Sequence, residues 1–189
     1  MEMNEYLKKE FKVSDSVLSI VDKAEKSVEE QFKRIDEICR INQIRVMKAF
    51  SDNRVSEAHF GATTGYGYDD FGRDTLDKVY AEVFGAEDAL VRFNFISGTH
   101  TISTALFGVL RPGDLLISAT GKPYDTLEEV IGIAGTPGNG SLKDYGVDYK
   151  QIDLLADGTA DFDSIKAVFD ADKVKAVLIQ RSKGYGDRP

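Results

Sequence analysis

Apolar residues recur at three- and four-residue steps between Val17 and Ala49, with charged residues between them. This spacing places the apolar side chains on one face of an α-helix, so the pattern predicts one long amphipathic helix. Ser14 or Ser16 is expected to cap its start, because a hydroxyl oxygen there can accept a hydrogen bond from a free amide of the first turn. A helix this long suits an element that lies across a larger body or a partner subunit; a coiled-coil dimer is the alternative.

The segment that follows, residues 51–75, is rich in glycine, aspartate and aromatic residues and shows neither a helical nor a strand period. It predicts a long loop, and loops of this length in compact domains are usually functional or disordered. The dense aromatic residues favour the functional reading.

Helical and strand patterns alternate from Asp74 onward. Such alternation indicates right-handed crossovers and a parallel sheet covered by helices, which is an α/β fold. The last strand is expected to be buried on both faces, and residues 135–146 to form a surface loop. The predicted helices are 74–85, 99–110, 126–134 and 161–169, the last capped by Asp161 or Asp163, and the predicted strands are 88–95, 114–120, 147–154 and 173–180.

We expect two regions: residues 1–73 as an N-terminal helix and subunit-contacting arm, and residues 74–189 as part of a sheet domain. Four strands make a small sheet for so long a helix and arm. The sequence is therefore expected to stop partway through a larger domain.

Composition narrows the class of partner. The chain has 24 basic and 32 acidic residues and a formal net charge of −8, which opposes nonspecific attraction to nucleic acid and to anionic lipid. Cys39 is the single cysteine, so no intrachain disulfide forms, and its helical context suggests ordinary packing. With no signal-peptide pattern and no apolar run of membrane-spanning length, a cytoplasmic location is expected.

The stretch Ser97-Gly98-Thr99-His100-Thr101 lies between a predicted strand and a predicted helix. Ligands of parallel α/β sheets bind beyond the carboxyl ends of the strands, where helix N-termini present unpaired amides. Gly98 permits close approach of an anion, the amides of Thr99 and His100 are expected to be free donors, and the hydroxyls of Ser97 and Thr99 add two more. A phosphate fits this chemistry, although Ser97 and Thr99 taken alone are also ordinary helix-capping residues.

A second feature follows the strand 114–120. Pro123 stiffens the turn, Asp125 or Thr126 can cap the next helix, and Tyr124 is thereby expected at the same sheet edge as the Ser-Gly-Thr-His turn. A flat ring could stack on Tyr124 there. The alternative is a surface aromatic residue packed on its own loop.

Other ligand motifs are disfavoured. The stretch GYGYDDFG has Asp70 where a dinucleotide fingerprint needs its third glycine, and it precedes a helix instead of following a strand. No Walker-type phosphate loop occurs, and His59 and His100 share no metal-ligand spacing, so no metal site is expected.

The run from GYGYDDFGRDT through FNFISGTHTIS to GKPYDTLEEVIG, together with VKAVLIQRSKGY, closely resembles the aluminium-resistance-type carbon–sulfur lyases. This family, also called methionine gamma-lyase-like, consists of pyridoxal-phosphate enzymes with the aspartate-aminotransferase fold. The resemblance covers nearly the whole chain. It implies that residues of the Ser-Gly-Thr-His turn bind the cofactor phosphate and that Tyr124 stacks on its pyridine ring.

The resemblance also implies a subunit arm. In the broader group a tyrosine and an arginine reach the phosphate from a neighbouring subunit; Tyr68 matches the tyrosine, Asp70 stands in the arginine position, and Arg73 is the candidate substitute. A homodimer or homotetramer is then expected. The predicted cofactor-binding residues are Ser97, Gly98, Thr99, His100, Tyr124 and Tyr68.

One part of the family's chemistry has no match. The family's Schiff-base lysine, and the aspartate that pairs with the pyridine nitrogen, come from sequence after the strand that ends near Gln180. Lys122 and Lys183 lie near the predicted site edge, but neither matches that lysine, so no catalytic residue is predicted.

Two functions therefore remain open. The first is the N-terminal part of a pyridoxal-phosphate-dependent carbon–sulfur lyase that acts on a sulfur amino acid. The alternative is a noncatalytic module that binds a phosphorylated metabolite or assembles with a partner. An unrelated α/β binding domain is a third possibility, disfavoured by the joint occurrence of the turn, Tyr124 and the Tyr68 arm.

Overall fold

The computed structural model describes residues 2–65 and 68–181. The chain divides into two compact units, Met1–Arg92 and Phe93–Pro189. The sequence predicted a subunit-contacting arm over residues 1–73 and a sheet domain over residues 74–189. The roles of these regions in subunit contact and cofactor binding stay a prediction.

The described elements are seven α-helices and three β-strands, with one short 3₁₀ helix at Glu57–Phe60. Within these residues the fold is α/β, as predicted. The helices are α1 (Met3–Phe11), α2 (Asp15–Ser27), α3 (Glu29–Asp52), α4 (Phe71–Phe84), α5 (Gly98–Val109), α6 (Asp125–Ile131) and α7 (Phe162–Val168), and the strands are β1 (Leu115–Ser118), β2 (Asp148–Gln151) and β3 (Val174–Leu178).

The predicted single helix over 17–49 is wrong in one respect, because it is two helices that meet at Val28. The Ser27 hydroxyl donates to the Ala24 carbonyl at 2.7 Å, and the Val28 amide bonds to the Glu25 carbonyl instead. A serine that takes a backbone acceptor in this way competes with the helical ladder. At the other end, Ser14 caps α2 as predicted, accepting from the Val17 amide.

The strand predicted over 88–95 does not form in the described structure. The Val91 amide donates to the Asp77 carboxylate at 2.8 Å, and the Arg92 guanidinium pairs with the same carboxylate at 2.7 Å. A side chain of α4 therefore takes the backbone donor that a strand would offer to a neighbour. The predicted helix over 74–85 is confirmed as α4, which begins earlier because Asp70 caps it by accepting from the Arg73 amide.

The second unit contains a parallel three-stranded sheet in the order β2-β1-β3. This confirms three of the predicted strands and their parallel direction. The expectation that β3 is buried on both faces is wrong, because its residues alternate between half-buried and exposed, and Val177 is 45% exposed. Strand β1, in the centre, has the buried Leu116 and Ile117 instead.

Two apolar clusters lie on opposite faces of β1, since successive strand residues point to opposite sides. Leu116 belongs to the cluster that includes Leu106 of α5 and Ile131 of α6. Ile117 belongs to the cluster that Ile165 of α7 packs against. The loop 135–146 is irregular as predicted, and Leu142 anchors it in the first cluster.

The exposure of Cys39 and the length of the apolar helices bear on two further expectations. Cys39 is exposed, so the ordinary packing expected of it is not found in the described part of the chain. Among the described residues, no helix is both long and apolar enough to cross a membrane.

Candidate functional site

The start of α5 is built by Ser97, which has extended backbone and caps the helix. Its hydroxyl oxygen accepts from the His100 amide at 3.1 Å, and its carbonyl accepts from the Thr101 amide at 3.0 Å. The expectation of a free His100 amide is therefore wrong, because the cap consumes it. Within residues 2–65 and 68–181, the amides of Gly98 and Thr99 have no hydrogen-bond partner and point out of the helix start.

A hydroxyl pair joins this helix start to a second one. The Thr99 hydroxyl lies 2.6 Å from the Thr126 hydroxyl, in the first turn of α6. Tyr124 is the residue that precedes α6, so the pair brings the Ser-Gly-Thr-His turn and Tyr124 to one edge of the second unit. This is the juxtaposition that the sequence predicted.

Tyr124 is held by its backbone on both sides. Its amide donates to the side-chain carbonyl of Gln180 at 2.9 Å, and its carbonyl accepts from the Leu127 amide at 2.9 Å. Pro123 before it is fully buried, while the tyrosine side chain stays 39% exposed. The prediction that Asp125 or Thr126 caps α6 is wrong. Tyr124 occupies the cap position, and its side chain makes no capping hydrogen bond.

Sequence reasoning missed two residues of this edge. The Thr120 hydroxyl accepts from the Gln180 amide at 2.9 Å and donates to the Gln180 carbonyl at 3.2 Å. These bonds continue the pairing of β1 with β3 beyond the last strand residues. The carboxyl ends of neighbouring parallel strands meet at one edge of a sheet, so the sequence could have placed Thr120 and Gln180 near each other. The rule does not say which of their atoms form hydrogen bonds.

The charges around α5 differ from those around the other helices. Each of the other six α-helices of the described chain has an acidic residue in its first turn, and α5 has none. A carboxylate in the first turn offsets the positive end of the helix dipole. The start of α5 therefore keeps a positive potential that suits an anion.

The nearby lysine is engaged elsewhere. Lys122 forms an ion pair with Glu128 of α6 at 2.9 Å, and that glutamate side chain is only 16% exposed. Lys183 lies outside the described residues.

The predicted arm residues belong to the first unit. Tyr68 is 99% exposed. Asp70 accepts from the Thr63 hydroxyl at 2.5 Å and from the Arg73 amide at 2.9 Å, and these two bonds, the hydroxyl first, hold the pKa of its carboxyl below the ordinary value. Arg73 pairs with Asp74 at 3.0 Å. Contact of Tyr68 or Arg73 with a phosphate stays a prediction.

The two histidines have aromatic neighbours. His59 stacks on Phe71 with ring centres 3.9 Å apart, and its Nδ1 accepts from the Ser56 amide. The His100 ring meets Phe95 edge-on at 5.9 Å. In the described part of the chain, no three metal-ligating side chains come together.

Comparison with known proteins decides the family. The family model described as methionine gamma-lyase matches residues 17–189. The chain belongs to the methionine gamma-lyase family. This confirms the resemblance drawn from the stretches around GYGYDDFGRDT, SGTHT and GKPYDTLEEV.

Family members of known structure share the fold. A carbon–sulfur lyase involved in aluminium resistance from Clostridium novyi NT is 46% identical, with a TM-score of 0.88, and the match covers 97% of this chain and 44% of that one. A candidate cystathionine beta-lyase involved in aluminium resistance from Clostridium acetobutylicum is 45% identical, with a TM-score of 0.88, over 98% of this chain and 44% of that one.

A curated relative is closer in sequence. The uncharacterized protein YnbB of Bacillus subtilis strain 168 is 55% identical over 157 residues, which are 83% of this chain and 37% of the relative. The methionine gamma-lyase family member described here thus spans less than half the length of these relatives.

Proposed function

We propose that this chain forms the phosphate- and ring-binding part of a pyridoxal-phosphate-dependent carbon–sulfur lyase that acts on a sulfur amino acid. The observation that carries the proposal is the 2.6 Å bond between the Thr99 and Thr126 hydroxyls, because it puts the anion-binding helix start beside Tyr124. Family membership and relatives described as carbon–sulfur lyases support the reaction class.

The residues present fit the phosphate of the cofactor. The amides of Gly98 and Thr99 supply two donors that have no partner in the described residues, at a helix start without an acidic side chain. A Cβ built at Gly98 would meet no atom of the described residues within 4 Å, so the helix start is open on the side of the Gly98 Cα. Helix N-termini with free amides bind phosphates by this combination of donors and dipole.

Tyr124 fits the ring. Its backbone is fixed and the residue is partly exposed, so an aromatic side chain is available at the same edge. Aromatic rings stack in offset or edge-on arrangements worth about 0.5–1.5 kcal/mol beyond simple burial. Phosphate donors on one side and a ring platform on the other match a phosphorylated aromatic ligand better than a simple anion.

When bound, pyridoxal phosphate supplies the electron sink that allows a proton to leave the substrate's alpha carbon and a thiol to depart. The residues described here would bind and orient it. Thr99 anchors the phosphate side, Tyr124 restricts the ring plane, and the Thr99–Thr126 bond fixes the separation of these two groups.

Binding of pyridoxine 5′-phosphate, which lacks the reactive aldehyde, tests this arrangement without any covalent chemistry. The 189-residue chain should bind it more tightly than pyridoxine and more tightly than inorganic phosphate. Thr99→Val removes the hydroxyl pair and should weaken binding about fivefold, on the order of one hydrogen bond. Thr104→Val is the matched control, because the Thr104 hydroxyl bonds only within α5, to the His100 carbonyl.

The outcomes separate the two functions left open by the sequence. Equal affinity for pyridoxine 5′-phosphate and inorganic phosphate would favour a module for phosphorylated metabolites over a lyase. Borohydride reduction after mixing with pyridoxal phosphate adds a second test: specific labelling of one lysine would contradict the view that no lysine of this chain matches the family's catalytic lysine.

The proposal extends to assembly. An exposed Tyr68 and an exposed apolar stripe on α3, which includes Phe32 and Ile35, support a homodimer or homotetramer in which the arm serves a neighbouring subunit. Sedimentation velocity tests this. A monomer at concentrations well above those of the binding assay would contradict it.

A further inference from the structure

We propose that Gln180 is a positioning residue for Tyr124: its side-chain carbonyl fixes the backbone that carries the aromatic ring. This inference rests on the proposed function, because the ring matters only where a flat ligand stacks on it. Gln180 lies in the stretch VKAVLIQRSKGY that resembles the family, but it is not one of the predicted site residues.

The first step is the identity of the bond. The Tyr124 amide can only donate, so the side-chain atom of Gln180 that lies 2.9 Å from it must be the carbonyl oxygen. The hydrogen bond itself thus fixes the orientation of the glutamine amide group. A side chain without an oxygen acceptor at this point would leave the Tyr124 amide without its acceptor.

The second step is what holds Gln180 in place. Its backbone amide and carbonyl both bond to the Thr120 hydroxyl, at 2.9 and 3.2 Å. Just before it, the Leu178 carbonyl accepts from the Ala119 amide at 3.0 Å, as part of the pairing between β1 and β3. The glutamine is therefore fixed by its pairing with the β1 side of the sheet, and β1 is the strand that contains the fully buried Leu116 and Ile117.

The third step is what Gln180 holds. Tyr124 is the cap residue of α6, and its amide is one of the helix-start amides that have no partner within the helix. With the amide bound to Gln180 and the carbonyl bound to the Leu127 amide, both peptide groups beside the Tyr124 Cα are fixed. This sets the direction in which the tyrosine ring leaves the backbone. Gln180 thereby connects the sheet to the ring.

Variants of the 189-residue chain test the role. Gln180→Met keeps the length and removes the acceptor, whereas Gln180→Glu keeps an oxygen at the same distance. Gln151→Met is the matched control, since Gln151 ends the neighbouring strand β2 and bonds to Asp153. Proton–nitrogen NMR follows binding of pyridoxine 5′-phosphate and of inorganic phosphate, and also the exchange rate of the Tyr124 amide.

Gln180→Met should weaken binding of pyridoxine 5′-phosphate about fivefold, because the ring contact is lost. Its affinity for inorganic phosphate should stay within about twofold of the wild-type value, because the phosphate donors are unchanged. The Tyr124 amide should exchange faster, and Gln180→Glu should restore both properties. Gln151→Met should change neither. An equal loss for both ligands would point to general destabilisation and overturn the positioning role, as would unchanged binding and exchange.

The wild-type chain separates this inference from the function on which it rests. If it binds pyridoxine 5′-phosphate no better than inorganic phosphate, the proposed function fails and the positioning role fails with it. If the wild type distinguishes the two ligands and Gln180→Met does so equally well, the positioning role alone is wrong.

Discussion

The two units stabilise themselves in different ways. In the second unit, two clusters of buried side chains enclose β1, and Leu116 and Ile117 are fully buried. In the first unit, the described helices bury few apolar side chains, and large residues of α3 such as Ile35 and Ile44 are 58% and 66% exposed. The same amphipathic pattern that buries a face in one unit leaves it open in the other.

This difference has an energetic meaning. Burial of apolar surface contributes roughly 25 cal/mol per Å², so the second unit gains most of its stability from its core. The first unit depends more on capping and polar contacts, such as the Ser14 cap and the Asp77 contacts with Val91 and Arg92. An amphipathic pattern predicts a helix reliably, but it does not identify the element or subunit that packs against its apolar face.

The largest expected effect comes from the centre of the sheet. Leu116→Ala removes a fully buried side chain of β1 and should lower the free energy of unfolding by about 3 kcal/mol, the sum of lost burial and a cavity. In the dissociated subunit, below the concentration at which the proposed oligomer forms, Ile35→Ala in α3 should cost about 0.5 kcal/mol, as an exposed substitution does. Urea unfolding at that concentration measures both variants. Equal losses would break the comparison, because they would show that the α3 stripe is buried within the single subunit.

Local interactions were the predictable part of the fold. Ser14, Ser97 and Asp161 cap helices as the sequence indicated, because each accepts from an amide three residues ahead. The parallel sheet followed from the alternation of helices and strands. These features depend on residues that are close in sequence or on a period that is visible in it.

Competition between side chain and backbone caused the errors. The break at Val28 depends on the hydroxyl of Ser27, and the missing strand over 88–95 depends on Asp77, which takes the Val91 amide. The sequence does not show that these two side chains bond to the backbone, since a serine or aspartate in a helix usually faces solvent. Periodicity alone therefore missed the break at Val28 and predicted a strand over 88–95 that the described structure does not contain.

For the candidate site, the sequence predicted the components better than their connections. The Ser-Gly-Thr-His turn and Tyr124 do share one edge. The bonds that fix them join Thr99 to Thr126, 27 residues apart, and Tyr124 to Gln180, 56 residues apart. Such pairs follow from strand order and register, which a single sequence does not state.

A smaller effect is expected at Asp77, and it tests the first unit. Asp77→Ala removes the acceptor of the Val91 amide and the partner of Arg92, and should cost about 2 kcal/mol, as loss of hydrogen bonds to a charged group does. Asp77→Asn keeps an oxygen for the amide and should cost less. Asp22→Ala, at an exposed position of α2, is the control. If Asp77→Ala were no worse than this control, polar contacts would not be what stabilises the first unit.

The smallest effect is expected where the second unit also uses polar contacts, in the exposed loop 135–146. The Asp144 carboxylate accepts from the amides of Gly138, Gly140 and Ser141, and these bonds, with the Gly138 amide first, lower its pKa. A carboxyl whose folded pKa is lowered adds stability above its unfolded pKa of about 3.9, and this stability is lost as the pH falls through the folded pKa.

Thermal unfolding at about pH 5 and about pH 2.5, which bracket that unfolded pKa, tests this contribution. The midpoint of unfolding should drop less between these two pH values in Asp144→Asn than in the wild type, because the asparagine does not titrate. Asp148→Asn, at the exposed start of β2, is the matched control for removing one surface carboxylate, and it should change the drop less than Asp144→Asn does. Parallel slopes for the wild type and Asp144→Asn would mean that the loop is held by Leu142 in the core alone, so that burial would account for the second unit without a polar contribution from this loop.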